Sequence, residues 1–326
     1  MTWLVWRQYR APGAIAVALL AAVAAVLLAD GLQIAAHWHS VLVACAGNST
    51  CLQQQGPLVN GMVSDLPYLN LIVPAVLGML CGAPLVAHEL EARTSDFGWT
   101  QSVTRTRWLA VKAGWLVLAA AACVGALAAL TTWWSGPVNA QSASAFLPGQ
   151  FDTQGIVPIG YAVFAMALGI AAGTATRRTL PAIAIVLGGF IALRLVLSDF
   201  ARPHYMAAIT TYYNVTGSFT PPGQAWVLAQ GAVSTTGVVV PQGWGALYPA
   251  LPASCQKLLP GGPTAKSGAS ESAVFSCMRA HGWRGFATYQ PGGRYWPFQG
   301  IETGIYVLLA AALIAVTFAI VRRRDT

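Results

Sequence analysis

The sequence predicts an all-α membrane protein with six transmembrane helices and a large extracytoplasmic domain of mixed short helices and strands between helices 5 and 6. Composition supports this class first: 56% of the 326 residues are hydrophobic and only 9% are charged. The mean hydropathy of +0.58 agrees. Uncharged apolar stretches near the ~20 residues that cross a bilayer recur along the chain. These features exclude a soluble globular domain.

The chain begins with a short aromatic and basic stretch, MTWLVWRQYR. Trp3, Trp6 and Tyr9 are spaced three residues apart, so a helix would present them on one face. Tryptophan and tyrosine are enriched at membrane interfaces. Since no convincing small-residue cleavage site follows, we expect an interfacial elbow helix over residues 1–10 rather than a signal peptide.

Apolar runs of span length then define the six helices. The first is expected to end at Asp30 and to be followed by a polar loop over 31–66. The predicted spans cover about 11–29, 67–87, 113–134, 156–176, 180–197 and 303–321. The domain organisation that follows is an elbow at 1–10, helices 1–5 within 11–198, an extracytoplasmic domain at 199–300, and helix 6 with a basic tail at 301–326.

The distribution of lysine and arginine predicts the orientation. The short loops 31–66 and 135–154 contain no lysine or arginine, whereas Arg177, Arg178 and the C-terminal arginines fall on the other side. Cytoplasmic loops carry the excess of positive charge. We therefore expect a multi-pass protein of the cytoplasmic membrane with both termini cytoplasmic. Topology accounts for much of the formal net charge of +8, so no nucleic-acid partner is implied.

Composition changes in the segment 199–300, which is rich in glycine, proline and aromatic residues. The run Ala225–Val240 contains β-branched stretches broken by glycine, which predicts short strands. Short helices are expected at Ala253–Leu259 and at Ala273–His281, the second stopped by Gly282. A small domain of this kind would cap the membrane helices.

Four of the six cysteines fall on the predicted extracytoplasmic side, where disulfides persist. We expect Cys45 to pair with Cys51 and Cys255 with Cys277, although four cysteines allow three pairings. The other two cysteines, Cys81 and Cys123, lie within predicted spans 2 and 3. We expect them to be reduced packing residues.

A polar island separates spans 2 and 3: residues 88–112 read HELEARTSDFGWTQSVTRTRWLAVK. Such a concentration of charge in a chain so poor in charge suggests a cytoplasmic loop that docks a soluble partner. The alternative is an ordinary hydrated linker whose arginines only orient the helices. The residues that define the island are His88, Glu89, Glu91, Arg93, Asp96, Arg105 and Arg107.

The sequence lacks a nucleotide-hydrolysis motif of its own. A phosphate-binding loop needs G-x-x-x-x-G-K-[ST], and the nearest string, GGPTAKS at 261–267, lacks the glycine before the lysine. No G-x-S-x-G nucleophile motif appears. Histidines at positions 37, 39, 204 and 281 lack the spaced set of three or four ligands that zinc requires. We expect no catalytic residue, no metal site and no cofactor bound by this chain.

Ionisable residues near the spans are also few. Arg194 lies near the outer end of span 5 and Glu302 at the start of span 6. Arg194 could pair with Asp199 or with Glu302 and so tie span 5 to span 6, or these residues could simply anchor the helices at the interface. An ion-coupled transporter normally buries a relay of acids or histidines. Its absence from the sequence favours an energy source outside the bilayer.

Two stretches carry a family resemblance. The segment TQSVTRTRWLAVK with the acidic residues before it, and the C-terminal stretch from Thr288 to Arg324, resemble actinobacterial ABC-2 type permeases, the membrane subunits of ABC exporters. The resemblance implies an all-α transmembrane domain that pairs with a second permease chain, as a homo- or heterodimer. It also implies separate ATP-binding subunits that hold ATP and Mg²⁺.

Within that resemblance, His88–Arg107 would include the coupling helix, with Glu89, Glu91 and Arg93 touching the ATPase. The implied function is export of an amphipathic or hydrophobic substrate, such as a drug, a lipid or a peptide-like molecule. Two alternatives stay open. The chain could be an ABC-like sensor or assembly subunit, or a membrane-anchored enzyme acting through 199–300.

Overall fold

The computed structural model describes residues 2–45, 51, 66–91, 104–136, 139, 144–215, 219–241, 247, 249–258 and 271–323. The chain divides into two units. Unit 1 consists of Met1–Ser142, Leu147–Arg202 and Trp296–Thr326, and unit 2 of Ala143–Phe146 and Pro203–Tyr295. The predicted extracytoplasmic segment, 199–300, contains the main part of unit 2, Pro203–Tyr295.

Unit 1 is helical. Its elements are α1 (Thr2–Cys45), α2 (Leu66–Leu77), a π-helical segment (Gly78–Gly82), α3 (Pro84–Glu91), α4 (Arg105–Trp134), α5 (Pro148–Phe151), α6 (Val157–Thr176), α7 (Thr179–Leu195), a π-helical turn (Val196–Ala201) and α10 (Tyr295–Arg323). Within the described residues, six helical stretches are long and apolar enough to cross a membrane: Ala21–Cys45, Asn70–Ala87, Thr106–Trp134, Val157–Thr176, Thr179–His204 and Gly292–Arg323. This agrees with the predicted number of spans.

The first helix corrects two predictions. Asp30 does not end it, because α1 continues without a break to Cys45, and residues 1–10 do not form a separate elbow, because α1 begins at Thr2. One acidic side chain leaves the backbone hydrogen bonds intact, and the following residues are mostly apolar. At about 1.5 Å per residue, the 44 residues of α1 form a helix longer than the ~30 Å hydrocarbon core.

Helix α6 lies at the centre of unit 1, and most of its residues are buried. Small residues allow the π-helical segment to approach it closely. A Cβ atom added at Gly169 would lie 2.5 Å from the Gly78 carbonyl oxygen, and one added at Gly173 would overlap the Ala83 carbonyl oxygen. Backbone packs against backbone along this seam, which leaves no room for larger side chains.

Apolar clusters identify which helix ends lie together. Leu85 and Val86 of α3 pack with Leu109 and Ala113 of α4, and Phe318 of α10 joins the same cluster. The short helix α3, the C-terminal part of α10 and the N-terminal end of α4 therefore share one end of unit 1. We call this the loop end, since the polar island connects α3 to α4 there.

Unit 2 is built on a sheet. Strands β1 (Ile209–Asn214), β2 (Trp226–Val233), β3 (Val239–Pro241) and β4 (Arg284–Gln290) form an antiparallel sheet in the order β1-β4-β2-β3. Strands β2 and β3 lie in the run 225–240 that predicts strands. Local sequence patterns do not predict β1 and β4, because β4 pairs on both sides with strands distant in sequence.

Two short helices complete unit 2: α8 (Ala253–Gln256) and α9 (Glu271–Ala280). Both fall where short helices are predicted, and Gly282 follows α9 with a φ of 77°, a conformation that favours glycine. The buried core of the unit is Val215, Ala232, Val240, Leu247, Leu251, Cys255, Val274, Met278 and Trp283. Disulfides join Cys45 to Cys51 and Cys255 to Cys277, the predicted pairs, and Cys81 and Cys123 are free thiols.

Removing the Cys255–Cys277 disulfide is expected to loosen unit 2. The bond links α8 to α9 across 22 residues, and closing a loop of that length stabilises by about 3 kcal/mol. In the full-length chain, Cys255→Ala with Cys277→Ala should make unit 2 markedly more sensitive to limited proteolysis. Cys81→Ala with Cys123→Ala is the matched control, since neither thiol is bonded. Equal protease resistance of both double variants would contradict the expectation.

Candidate functional site: a buried ion-pair network in unit 1

Arg202 forms ion pairs with two carboxylates inside unit 1. Its Nε and Nη2 donate to the two oxygens of Glu302, both at 2.8 Å. Its Nη2 also donates to Oδ1 of Asp152 at 2.5 Å. These residues come from three parts of the chain: Asp152 directly follows α5, Arg202 directly follows the π-helical turn, and Glu302 lies in α10. The guanidinium therefore joins segments that are distant in sequence.

Arg194 and Tyr161 complete the network. Arg194 Nη2 donates to Oδ2 of Asp152 at 2.7 Å, so the carboxylate of Asp152 bridges two arginines. The Tyr161 hydroxyl lies 3.0 Å from Oδ1 of Asp152 and 3.0 Å from Oε1 of Glu302. Because a hydroxyl carries one hydrogen, it donates to one of these carboxylates at a time.

The network is buried and balanced in charge. The side chains of Arg202, Asp152 and Glu302 are no more than 2% exposed, and that of Arg194 is 18% exposed. Two arginines face two carboxylates, so the ionised network is neutral. The Arg202 guanidinium also lies 4.2 Å from the ring centroid of Phe151. A buried ion-pair network of this kind is costly to disrupt, because losing one partner leaves a buried charge uncompensated.

Further polar contacts hold the short segment that contains Asp152. We call residues 147–156 the strap. Asn70 of α2 donates to the Thr153 carbonyl at 3.3 Å, and the Thr132 hydroxyl of α4 accepts from the Gly155 amide at 3.1 Å. Gln299 of α10 donates to the Phe151 carbonyl at 2.8 Å and accepts from the amides of residues 156 and 157. Side chains of several helices thus satisfy the backbone of the strap.

Local sequence explains the shape of the strap. Pro148 occupies the first turn of α5, a position where its missing N–H is not needed. Gly155 has a φ of 68°, which lets the chain turn before α6 begins. One signal for the site was available in the sequence: the strap contains a single acidic residue and no lysine or arginine. Its partners could not be found that way, because Arg202 lies far along the chain.

Comparison with known proteins addresses the class of the molecule. The model of the family described as ABC-2 membrane transporter related matches residues 17–202, more than half of the chain. The chain belongs to this family. The match ends at Arg202, the last residue before the main part of unit 2. Neither the curated proteins nor the solved structures yield a match. With six apolar helices among its described residues, this family member is a multi-pass membrane protein.

The ion pair predicted for Arg194 in this ABC-2 protein is corrected by the structure. Arg194 contacts Asp152 instead of Asp199 or Glu302, and Arg202 is the partner of Glu302. Asp199 is exposed and accepts a hydrogen bond from Ser198 Oγ at 3.0 Å. The π-helical turn at 196–201 explains the difference, since its wider turn changes which residues face the helix bundle. The ion pair that holds span 6, through Glu302, is therefore made by Arg202 and not by Arg194.

The polar island of the ABC-2 protein is described only at its two borders. His88, Glu89 and Glu91 belong to the end of α3, and Arg105 and Arg107 to the first turn of α4. Thr104 caps α4 by accepting from the Arg107 amide at 3.4 Å. Arg93 and Asp96 lie outside the described residues. The assignment of these residues to ATPase docking stays a prediction.

Two further groups bear on the chemistry of this family member. Lys112 of α4 is 1% exposed, with its Nζ 4.6 Å from the centroid of Trp108, so the spans contain more buried charge than expected.

Sulfur and nitrogen atoms of Cys255, Cys277 and His281 lie within 4.8 Å of one another. The two cysteines are joined in a disulfide, and a disulfide does not supply the thiolate ligands that a metal needs. His281 contacts Ser254 Oγ at 3.1 Å.

Proposed function

We propose that this chain is the permease subunit of an ABC exporter. The observation that carries the proposal is the family match over residues 17–202, which contains four of the apolar helices in the described residues and nearly all of the fifth. The chain would move an amphipathic or hydrophobic substrate, such as a drug, lipid or peptide-like molecule, across the cytoplasmic membrane. Its energy would come from the hydrolysis of ATP on a separate subunit that binds ATP and Mg²⁺, because the sequence holds no phosphate-binding loop.

The loop end of unit 1 is the part suited to receive that subunit. Thirteen residues, 92–104, connect the end of α3 to the start of α4, and the borders of this connection carry Glu89, Glu91 and Arg105. Both helices pack in one apolar cluster with the end of α10. A force applied to the connection would therefore be transmitted to several spans through close packing.

Charge supports a cytoplasmic position for the loop end. Arg322 and Arg323 lie in the last turn of α10. Ile314 and Phe318 of the same helix pack at the loop end. Arg177 and Arg178 connect α6 to α7, next to the seam where Gly173 meets Ala83. An excess of basic residues marks cytoplasmic ends of spans. Both chain termini would then be cytoplasmic, and the ion-pair network would lie toward the opposite side of the membrane.

The assembled transporter would contain two permease chains, identical or different, surrounded by membrane lipid. Several helices of unit 1 expose large apolar side chains, among them Leu180, Leu308 and Leu118. Such faces are covered by lipid or by another membrane helix. ATP-driven movement of the partner subunits would switch the permease pair between conformations, which requires contacts that differ between the two states.

Docking of the ATPase is the decisive test. When the chain is co-expressed with a candidate ATP-binding subunit and purified, the two proteins should elute as a stable complex. Glu89→Ala and Arg93→Ala are each expected to reduce the recovered ATPase by about tenfold, the effect of losing roughly 1.4 kcal/mol of binding free energy. The measurement is the ratio of the two proteins after affinity purification and gel filtration.

Arg279→Ala is the matched control, because Arg279 is an exposed cation of unit 2 and should not influence docking. A wild-type chain that never retains an ATP-binding subunit would contradict the exporter proposal. A complex that forms but is insensitive to both island variants would contradict the docking assignment while leaving the exporter proposal in place.

A further inference from the structure

The strap, residues 147–156, is attached to most of the helix bundle by polar side chains. Asn70 reaches it from α2 and Thr132 from α4. Arg194 reaches it from α7, and Gln299 from α10. One short segment thus connects the outer parts of several spans at the end opposite the loop end.

The strap has little secondary structure of its own. It contains a single helical turn, α5, and side chains of other helices bond its backbone at residues 153, 155 and 156. Phe151 and Thr153 are fully buried within it. Water can replace hydrogen bonds of this kind at a modest net cost. Separation of the strap would break these hydrogen bonds and the more costly ion pairs of Asp152, and it would leave the long helices folded.

In sequence, the network residues lie near three of the four points at which the chain passes between the two units. Arg202 is the last residue of unit 1 before unit 2, and Asp152 follows shortly after the return at Leu147. Glu302 follows shortly after the return at Trp296. Each of the three residues that form the central ion pairs is thus close in sequence to one of these three points.

We propose that the strap is a latch, held closed by the Asp152–Arg202–Glu302 network, and that it releases as a unit when this network opens. In the structure the latch is closed. Its role in export rests on the proposed function, in which the closed latch seals this end of the permease and ATP-driven movement releases it. The latch itself is a property of the chain alone and can be tested without a partner.

Thiol labelling measures the release directly. In the full-length chain with Cys81→Ala and Cys123→Ala, Thr153→Cys places a thiol at a fully buried position of the strap. The Asn70 contact is retained, because it is made with the backbone of residue 153. The rate of reaction with a hydrophilic maleimide is measured in detergent. Val186→Cys in α7 is the matched control, since Val186 is equally buried but lies in an apolar cluster that contains no residue of the strap.

Opening the network should accelerate labelling of the strap alone. Glu302→Gln removes one charge that Arg202 requires, and Tyr161→Phe removes one hydroxyl without changing shape. We expect Glu302→Gln to increase the labelling rate at position 153 by about tenfold or more, and Tyr161→Phe by a smaller factor, the usual order for charged and neutral hydrogen bonds. Labelling at position 186 should not change.

Two results would overturn the latch. One is an unchanged rate at position 153 in both variants, and the other is equal acceleration at positions 153 and 186, which would indicate general loosening of the bundle. If Glu302→Gln fails to fold, the Tyr161→Phe variant decides.

A second arm tests the role in export. With an ATP-binding subunit attached, added ATP and Mg²⁺ should increase labelling at position 153 and leave position 186 unchanged. No increase in an active complex would overturn the role of the latch in the transport cycle. If no ATP-binding subunit binds the chain, only the exporter proposal is contradicted. The labelling of the isolated chain tests the latch independently.

Discussion

Replacing Arg202 with methionine is expected to lower the free energy of unfolding of the full-length chain by about 3–5 kcal/mol, because it leaves two buried carboxylates with too little positive charge. Asp152 would keep Arg194, while Glu302 would lose both of its 2.8 Å contacts with the guanidinium. The measurement is the unfolding midpoint of the purified chain in detergent, compared with wild type. A reduced yield of folded protein in the membrane should accompany the shift.

Two further variants separate charge from packing in this experiment. Arg194→Met removes an arginine that is partly exposed, so its effect should be clearly smaller. Combining Arg202→Met with Glu302→Gln restores a neutral network and should recover much of the loss, since the coupling between contacting residues is not additive. An Arg202→Met protein as stable as wild type would show that the network contributes little to the fold.

Enlarging Gly169 to alanine is expected to destabilise the chain by about 1–3 kcal/mol or more, the usual cost of overpacking a tight core. The added Cβ would lie 2.5 Å from the Gly78 carbonyl oxygen and 2.8 Å from the Ala83 amide nitrogen. Both are backbone atoms, so neither can rotate away as a side chain could. The helices must separate, and the shift in the unfolding midpoint measures the cost.

Gly188→Ala is the matched control for this prediction. Gly188 lies in the interior of α7, and an added Cβ would meet nothing within 4 Å. Alanine should leave the stability unchanged or raise it by up to about 1 kcal/mol, because it is the better helix former. Equal effects of the two substitutions would contradict the assignment of the seam between α6 and the π-helical segment as a close backbone contact.

The order of the apolar helices could be predicted from the sequence because membrane spans leave a strong local signal. A helix that crosses the hydrocarbon must satisfy its backbone internally and present apolar side chains over about 20 residues. Spans 2 to 6 were found for this reason. The first helix was misjudged at Asp30, because hydropathy indicates where charge occurs and says little about where a helix stops.

In unit 2 as well, local patterns predict some elements and fail to predict others. Strands β2 and β3 and the helices α8 and α9 lie where local patterns predict them. Strand β4 is not predicted, although it pairs with both β1 and β2. Both partner strands lie tens of residues earlier in the chain, and a local pattern does not indicate such a pairing. The cysteine pairs were accessible because only a few pairings exist for four cysteines.

The candidate site was only partly within reach of sequence reasoning. Arg194 and Glu302 were recognised as charges near apolar spans, whereas Asp152, Arg202 and Tyr161 were not, and the pairing among them was wrong. A charge near a span is visible in the sequence, but its partner depends on which side chains the folded helices bring within 3 Å. Lys112 was likewise taken for part of a polar island, and only packing shows that α4 buries it.

By itself, the sequence determined that this chain is an integral membrane protein, and it predicted six apolar helices, an inserted unit and basic residues at one set of helix ends. Those properties follow from the transfer free energies of consecutive residues, which are local and additive. The tertiary structure alone decided that Asp152, Arg202 and Glu302 meet, that the strap is held between the helices, and that α6 lies at the centre of unit 1. Such contacts depend on helix packing and on the register shift of a π-helical turn, which no single stretch of sequence encodes.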